Sequence, residues 1–264
     1  MTIAKIDFAE LYRQHMRRGN RAPKPASAWD ARAKDMSRKV LHSNYVDDFI
    51  KRMDLRGAST LLDVGCGPGT VCLPLAAGMQ RVYGLDYSKK MLDCLMANAK
   101  ARHLDNVVPL RCAWEDDWSQ VPVCDIAIAS RSTAVDDIEQ AIIKLNSHAR
   151  KRVYMTHLVG GYFVDKQIAT LLGRHHQTVP DYIYVVNILH ALGIHPRLDY
   201  IETPSRLAGA KDFATFAEKV AWSFGTLKTS ELDALRTWYE DDPQRACEGG
   251  GPMRWAFMSW EPRP

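Results

Sequence analysis

Residues 61–70 read LLDVGCGPGT, an apolar strand-like run that ends in Gly65, Gly67 and Gly69 at alternate positions. A strand that closes in such a turn and opens a helix brings its backbone unusually near a ligand, because no Cβ stands in the way. Two neighbouring carboxylates sharpen the signal. Asp63 lies two residues before the first glycine, where it can accept hydrogen bonds from the loop or meet a bound cation. Asp86 ends the next strand-like run, at a distance suited to a carboxylate that accepts from both hydroxyls of a ribose. The dinucleotide fingerprint G-x-G-x-x-G/A wants a small residue where this chain has Thr70, so the spacing departs from that pattern.

The rest of the chain alternates in kind. Strand-like runs at 60–66, 81–86, 107–112, 124–130 and 150–159 are separated by helical segments. The clearest helix is 88–104, with Ser88 in the capping position and Met91, Leu92, Leu95 and Met96 on one face. Five such alternations predict parallel strands joined by crossover helices, a doubly wound α/β sheet. Ligands of these sheets sit outside the carboxyl ends of the strands, at the switch point. Beyond 160 the alternation is interrupted. Segments 160–194 and 205–245 read as helical insertions near the acceptor side, around a sixth strand at 195–204, and a seventh, aromatic strand runs over 253–262. The expected architecture is one domain over 1–264, a seven-stranded, mostly parallel sheet with helical lid insertions and an N-terminal helical cover over 1–58. Phe8, Leu11 and Tyr12, then Trp29, Ala33 and Met36, form the apolar stripes that such a cover would bury.

Composition excludes several classes. The 264 residues are 46% hydrophobic and 25% charged, the balance of a globular chain. No apolar run approaches the roughly 18–20 residues that span a bilayer, and the N-terminus has no apolar core of a secretory signal. None of the six cysteines forms C-x-x-C or a zinc-finger spacing. The expectation is a reducing cytoplasm, no membrane and no structural metal. Charge is uneven: residues 1–58 carry 13 Lys/Arg against 7 Asp/Glu, and Arg13, Arg17, Arg18, Arg21 and Lys24 form an acid-free stretch. That stretch reads as a solvated terminal helix and arm, or as a footprint for an anionic substrate or nucleic acid.

The combination resembles the class I S-adenosylmethionine-dependent methyltransferases. DVGCGPGT matches their first motif, GLDYSKKML looks like their second, VCDIAIAS is similar to the fourth-strand motif, and WDARA at 29–33 resembles their N-terminal aromatic-plus-Ala element. The resemblance covers about residues 25–160. It implies S-adenosyl-L-methionine as cofactor. Asp63, Gly65, Cys66 and Gly67 would hold its amino-acid end, Asp86 the ribose, and Tyr87 would lie beside the adenine. Ala113 and Trp114 occupy the segment that reads the adenine edge, Ser130 ends the fourth strand near the methyl group, and Trp29 lies in the segment that folds over the cofactor. The family often places an Asp where this chain has Cys112-Ala113-Trp114, so Glu115, Asp116 or backbone would meet the adenine amino group.

Methyl transfer from a sulfonium needs alignment and exclusion of water, and needs a general base only for a protonated nucleophile. Ser130-Arg131-Ser132-Thr133 replaces the N/D-P-P-Y/F motif of enzymes that methylate adenine or glutamine amino groups. His157, at the end of the fifth strand, is the best-placed catalytic base, against a merely solvated or hydrogen-bonded strand-end histidine. Arg131 would anchor an acidic substrate or sit in a surface ion pair. Tyr162, Phe163, Tyr182 and Tyr184 are pocket lining or helix packing, and His175-His176 a lid pair, a metal fragment or neither. The expected reaction is methylation of a small-molecule acceptor. The alternatives are an RNA or protein methyltransferase, favoured only by the basic N-terminus, and a non-catalytic cofactor-binding protein.

Overall fold

The computed structural model describes residues 2–19, 24–39 and 43–262. A 3-10 turn at Ile3–Lys5 precedes three helices, α1 (Phe8–Arg18), α2 (Ala26–Lys39) and α3 (Asn44–Lys51). Arg21 of the basic stretch lies outside the described residues, as do the other parts of the expected N-terminal cover at 20–23 and 40–42. Asp7 caps α1 by accepting the Glu10 N–H at 2.8 Å, and His15, Arg17 and Arg18 complement the dipole in its last turn. The buried stripe of α1 is Ala9, Tyr12 and Met16, whereas Leu11 is 40% exposed. This differs from the expected stripe because the Tyr12 hydroxyl donates to the Val135 carbonyl at 2.9 Å, which sets the rotation of the helix.

The sheet begins with β1 (Thr60–Val64) and continues with β2 (Arg81–Asp86), β3 (Val107–Arg111), β4 (Cys124–Ala129), β5 (Ala149–Leu158), β6 (Arg197–Thr203) and β7 (Met253–Trp260). Its order is β3-β2-β1-β4-β5-β7-β6, seven strands in all. The first five pair in parallel, and β7 runs antiparallel to both β5 and β6. β1 and β4 are the switch point: the chain leaves β1 toward β2 and β3 on one side and returns to β4 and β5 on the other. β4 is buried at every residue, as a strand covered on both faces must be.

Helices α4 (Cys72–Ala76), α5 (Lys89–Ala101) and α6 (Ile138–Ser147) are the crossovers. Ser88 caps α5, its hydroxyl accepting the Met91 N–H, and Met91, Leu92, Leu95 and Ala99 are buried. Met96 lies one residue past that stripe, about 100° further round the helix, and is exposed. Helix α2 packs along α5: Asp30 accepts from the Ser88 hydroxyl at 2.6 Å and the Lys90 N–H at 3.0 Å, and Ser37 pairs with Asn98.

After β5 the chain builds two different things. Helix α8 (Tyr182–Ala191) buries Val185, Ile188 and Leu189 in the main core and packs on α1, α6 and β5. It belongs to the sheet layer, unlike the lid role read for 160–194. Helices α7 (Lys166–Leu171), α9 (Phe213–Phe224) and α10 (Thr229–Asp241) instead gather a second core from Ile168, Leu207, Phe216, Val220 and Leu235. A short α11 (Pro243–Glu248), opened by its proline and closed by left-handed Gly249, returns the chain to β7. We call the α7, α9 and α10 unit the cap.

Arg174 clasps the cap. Its guanidinium donates to both Glu231 oxygens at 2.7 Å and to the Phe224 and Thr226 carbonyls at 2.6 and 2.9 Å, and both charged side chains are largely covered. Removing one partner of a covered, bidentate pair strands the other. Arg174→Ala is expected to destabilise the cap by about 3 kcal/mol. Hydrogen exchange should show faster exchange in α7, α9 and α10 while the strands stay protected; uniform loss of protection would mean that the cap is not a separate cooperative unit.

Candidate active site

At the carboxyl ends of β1, β2 and β4 lies a cavity of about 610 Å³. Its floor is the glycine turn. Leu85 accepts the Gly65 and Cys66 N–H groups at 2.8 and 3.1 Å, and Asp86 Oδ2 accepts the Gly67 N–H at 2.9 Å while Oδ1 accepts that of Ser88 at 2.8 Å. Gly65, Gly67 and Gly69 all have left-handed φ. A Cβ on Gly65 would lie 2.3 Å from Ser132 Cβ, and one on Gly69 would overlap Leu73 and Leu95. At Gly67 a Cβ would meet only Met91 Sδ, at 4.0 Å, and would otherwise take up open space. The three glycines therefore serve two purposes, close packing at 65 and 69 and clearance at 67.

All ten residues expected at the cofactor border this cavity: Asp63, Gly65, Cys66 and Gly67 from the turn, Asp86 and Tyr87 after β2, Ala113 and Trp114 after β3, Ser130 after β4, and Trp29 from α2. Asp63 is 2% exposed, and its Oδ2 has no hydrogen-bond partner. Burial pushes its carboxyl from the ordinary 3.8 up to about 7, against a smaller opposing effect of hydrogen bonding from Cys72. Burial likewise raises Asp86. A buried carboxylate with one unpartnered oxygen, bordering a cavity, suits a ligand ammonium, and the clearance at Gly67 suits close approach of a ligand chain. The residues present thus fit S-adenosylmethionine.

Other expectations meet a different arrangement. His157 is 1% exposed, and both ring nitrogens are engaged, Nδ1 with the Thr133 hydroxyl at 2.9 Å and Nε2 with the Pro180 carbonyl at 3.0 Å. It does not border the large cavity, and burial lowers its pKa to about 4. The expected base is therefore corrected to a buried, neutral ring that ties β5 to the segment before α8. Of the four aromatics after β5, Phe163 borders the cavity; Tyr182 bonds Tyr200 on β6, Tyr184 packs on Tyr12 and His15, and Tyr162 donates to the His175 carbonyl. His175 and His176 lie outside the cavity wall, their rings 5.7 Å apart. Glu115 borders the cavity, whereas Asp116 accepts the Ala113 N–H.

Some residues in the wall or directly behind it carried no sequence signal. Trp222 of α9 meets Trp29 of α2 edge-on at 5.5 Å, with Lys24 Nζ 4.0 Å and Arg32 Cζ 4.3 Å from its ring centre. Tyr45, on α3, sends its hydroxyl to Ser130 and Thr156 at 2.8 and 2.9 Å, beneath the Arg131 guanidinium. Thr156 Oγ1 also accepts the Arg131 N–H at 3.0 Å, and Arg131 has a left-handed φ of 56°. Only the apolar pair Tyr45 and Phe49, one helical turn apart, hints at a buried face on α3.

A family profile described as a methyltransferase domain matches residues 61–152. An uncharacterized protein of Haemophilus influenzae is 36% identical over 264 residues, 98% of either chain. The chain belongs to the class I S-adenosylmethionine-dependent methyltransferases. A putative methyltransferase of Bacillus halodurans has the same fold, with a TM-score of 0.57 at 11% identity, covering 83% of this methyltransferase and 99% of that chain. Coclaurine N-methyltransferase bound to N-methylheliamine and S-adenosylhomocysteine aligns with a TM-score of 0.55 at 11% identity, over 98% and 96% of the two chains. A 23S rRNA (uracil(1939)-C(5))-methyltransferase of Legionella pneumophila is 36% identical over 67 residues, 25% of this chain and 15% of that enzyme.

Asp63 yields a pH test. An unfolded aspartate ionises near pH 4, so between about 4 and 7 the folded methyltransferase holds the proton that the unfolded chain has lost. This contribution to stability falls as pH rises. His157 acts oppositely, losing stability as pH falls from about 6.5 to 4, so the comparison must be between variants. The Tm of ligand-free Asp63→Asn minus that of the parent should grow from about pH 5 to pH 8, by at most about 4 kcal/mol in stability. A difference independent of pH would show that Asp63 is ionised in the fold.

Proposed function

We propose that this methyltransferase acts on a small molecule, held between the strand ends and the helices above them. The observation that carries the reading is that side chains of helices line the cavity together with those of the strand ends. Met16 of α1, Trp29 and Met36 of α2, Trp222 of the cap and Trp255 of β7 all border it, so helices lie over the switch point. Its 610 Å³ falls in the range of pockets for small ligands. The basic N-terminus, the feature that favoured RNA, is paired in part. Arg13 pairs with Glu10, Asp137 and Glu139, Arg17 with Glu10, and Arg52 with Asp48 and Asp199.

In this reading Asp63 receives the cofactor's ammonium, Gly65, Cys66 and Gly67 flank its amino-acid end, and Asp86 accepts from the ribose hydroxyls. Tyr87, Ala113 and Trp114 border the adenine, with Glu115 beside its amino edge. Trp29 covers the site and Ser130 faces the reacting end. The cofactor supplies an activated methyl group on a sulfonium. The protein's own part is to align the acceptor, exclude water and keep its dipoles in place. With His157 engaged on both nitrogens, catalysis rests on positioning, and the acceptor arrives with a nucleophilic lone pair or loses its proton to solvent or to a cavity carboxylate. Among the described residues no helix is long and apolar enough to cross a membrane, and all six thiols are free. A cytoplasmic location suits those thiols.

Two measurements test the reading. Asp86→Ala should weaken adenosylmethionine binding by about 1.5–3 kcal/mol in calorimetry, the worth of a charged acceptor; unchanged affinity removes Asp86 from the ribose role. Incubation of whole-cell extract with methyl-labelled adenosylmethionine, followed by ultrafiltration, should place the label in the low-mass fraction. Label retained on RNA or protein overturns the small-molecule assignment.

A further inference from the structure

We infer that the acceptor is an anion, carrying a carboxylate or phosphate group on an apolar body, and that Arg131 and Arg206 grip this group on either side of Trp255. The inference rests on the small-molecule reading and names the chemistry of that molecule.

Arg131 follows β4 and Arg206 follows β6, and both border the cavity. Each guanidinium lies over an aromatic ring, Arg131 Cζ 4.1 Å from the centre of Tyr45 and Arg206 Cζ 5.4 Å from that of Phe163. Both rings in turn stand 6.4 Å from Trp255, a β7 residue that borders the same cavity. Two cations remote in sequence are thus brought to one aromatic wall. A guanidinium carries its N–H donors in its own plane, apart from the face that a ring covers. That fork matches a carboxylate or phosphate in two-point geometry. The ion pairs among the described residues do not include Arg131, which is exposed although it sits in the cavity wall. The Arg131 backbone is held in the left-handed region by its N–H bond to Thr156, an arrangement that most residues avoid and that aims this side chain.

Charge balance points the same way. Four cations border the cavity, Lys24 and Arg32 around Trp222 and Arg131 and Arg206 around Trp255. Four carboxylates face them, Asp63, Asp86, Glu115 and Asp136. Adenosylmethionine brings a sulfonium and an ammonium against one carboxylate, so the cofactor adds one net positive charge to the cavity. A cationic acceptor would add to it, whereas an anion balances it.

The test begins with the low-mass extract of the source cells, divided on an anion-exchange resin before assay with methyl-labelled adenosylmethionine. Acceptor activity is expected in the retained fraction. Activity confined to the unretained fraction overturns the inference, and methyl transfer to no low-mass fraction overturns the small-molecule reading beneath it. With the retained fraction as substrate, Arg131→Gln and Arg206→Gln should each raise the half-saturating amount about 10- to 100-fold, as for a lost charged hydrogen bond. Calorimetric affinity for adenosylmethionine should stay unchanged, and Arg131→Lys should restore only part of the loss. If either Gln variant loses cofactor affinity while its acceptor half-saturation is unmoved, that arginine belongs to the cofactor and the inference falls.

Discussion

The Asp86 carboxylate holds the site together. One oxygen takes the Gly67 N–H and the other takes the N–H of Ser88, the residue that caps α5. A single side chain thereby fixes the glycine turn after β1 relative to the helix after β2. Backbone conformations that would otherwise be a liability, three left-handed residues in five, are stabilised because the Leu85 carbonyl and this carboxylate take up the exposed N–H groups. Burial opposes ionisation of Asp86, and those two donors offset part of that effect by favouring the charged form.

From that hub the architecture divides labour. In the proposed reading the parallel strands hold the cofactor end of the cavity through backbone and carboxylates, with little dependence on side-chain size. The β5, β6 and β7 side supplies bulk and charge: Phe163, Arg206 and Trp255 come from the antiparallel addition and from the segments around it. Such a division lets one cofactor platform serve different acceptors, because what changes between them is carried by loops and insertions.

The platform was readable from the chain because its signals are local. Periodicity marks the strands, a serine marks the start of α5, and alternate glycines mark the turn. The cavity wall was less readable because its partners are remote in sequence. His157 sits at the end of a parallel strand, where a ligand-facing residue is expected, but the Pro180 carbonyl closes over one nitrogen and Thr133 over the other. No spacing rule reports either contact. Trp222 lies in a helix whose apolar pattern also serves the cap's own core, so its outward role is hidden among packing residues. Tyr45 depends on the hydroxyls of Ser130, just after β4, and of Thr156 on β5, both more than eighty residues away. Leu11 and Met96 went astray for a simpler reason: one residue of helical rotation separates a buried stripe from an exposed one.

The contact between Trp222 and α2 has a kinetic meaning. In the proposed reading α2 lies over the cofactor end and α9 over the acceptor end, and Trp222 is joined to α2 by an aromatic edge and by Arg32, with Lys24, just before that helix, over its ring. A roof fastened at one tryptophan does not open by halves. In that reading whatever loosens this contact exposes both compartments together, so that release of spent cofactor and renewal of acceptor would share one gate. In such an arrangement the opening of a joint becomes a step of every turnover beside the transfer of the methyl group.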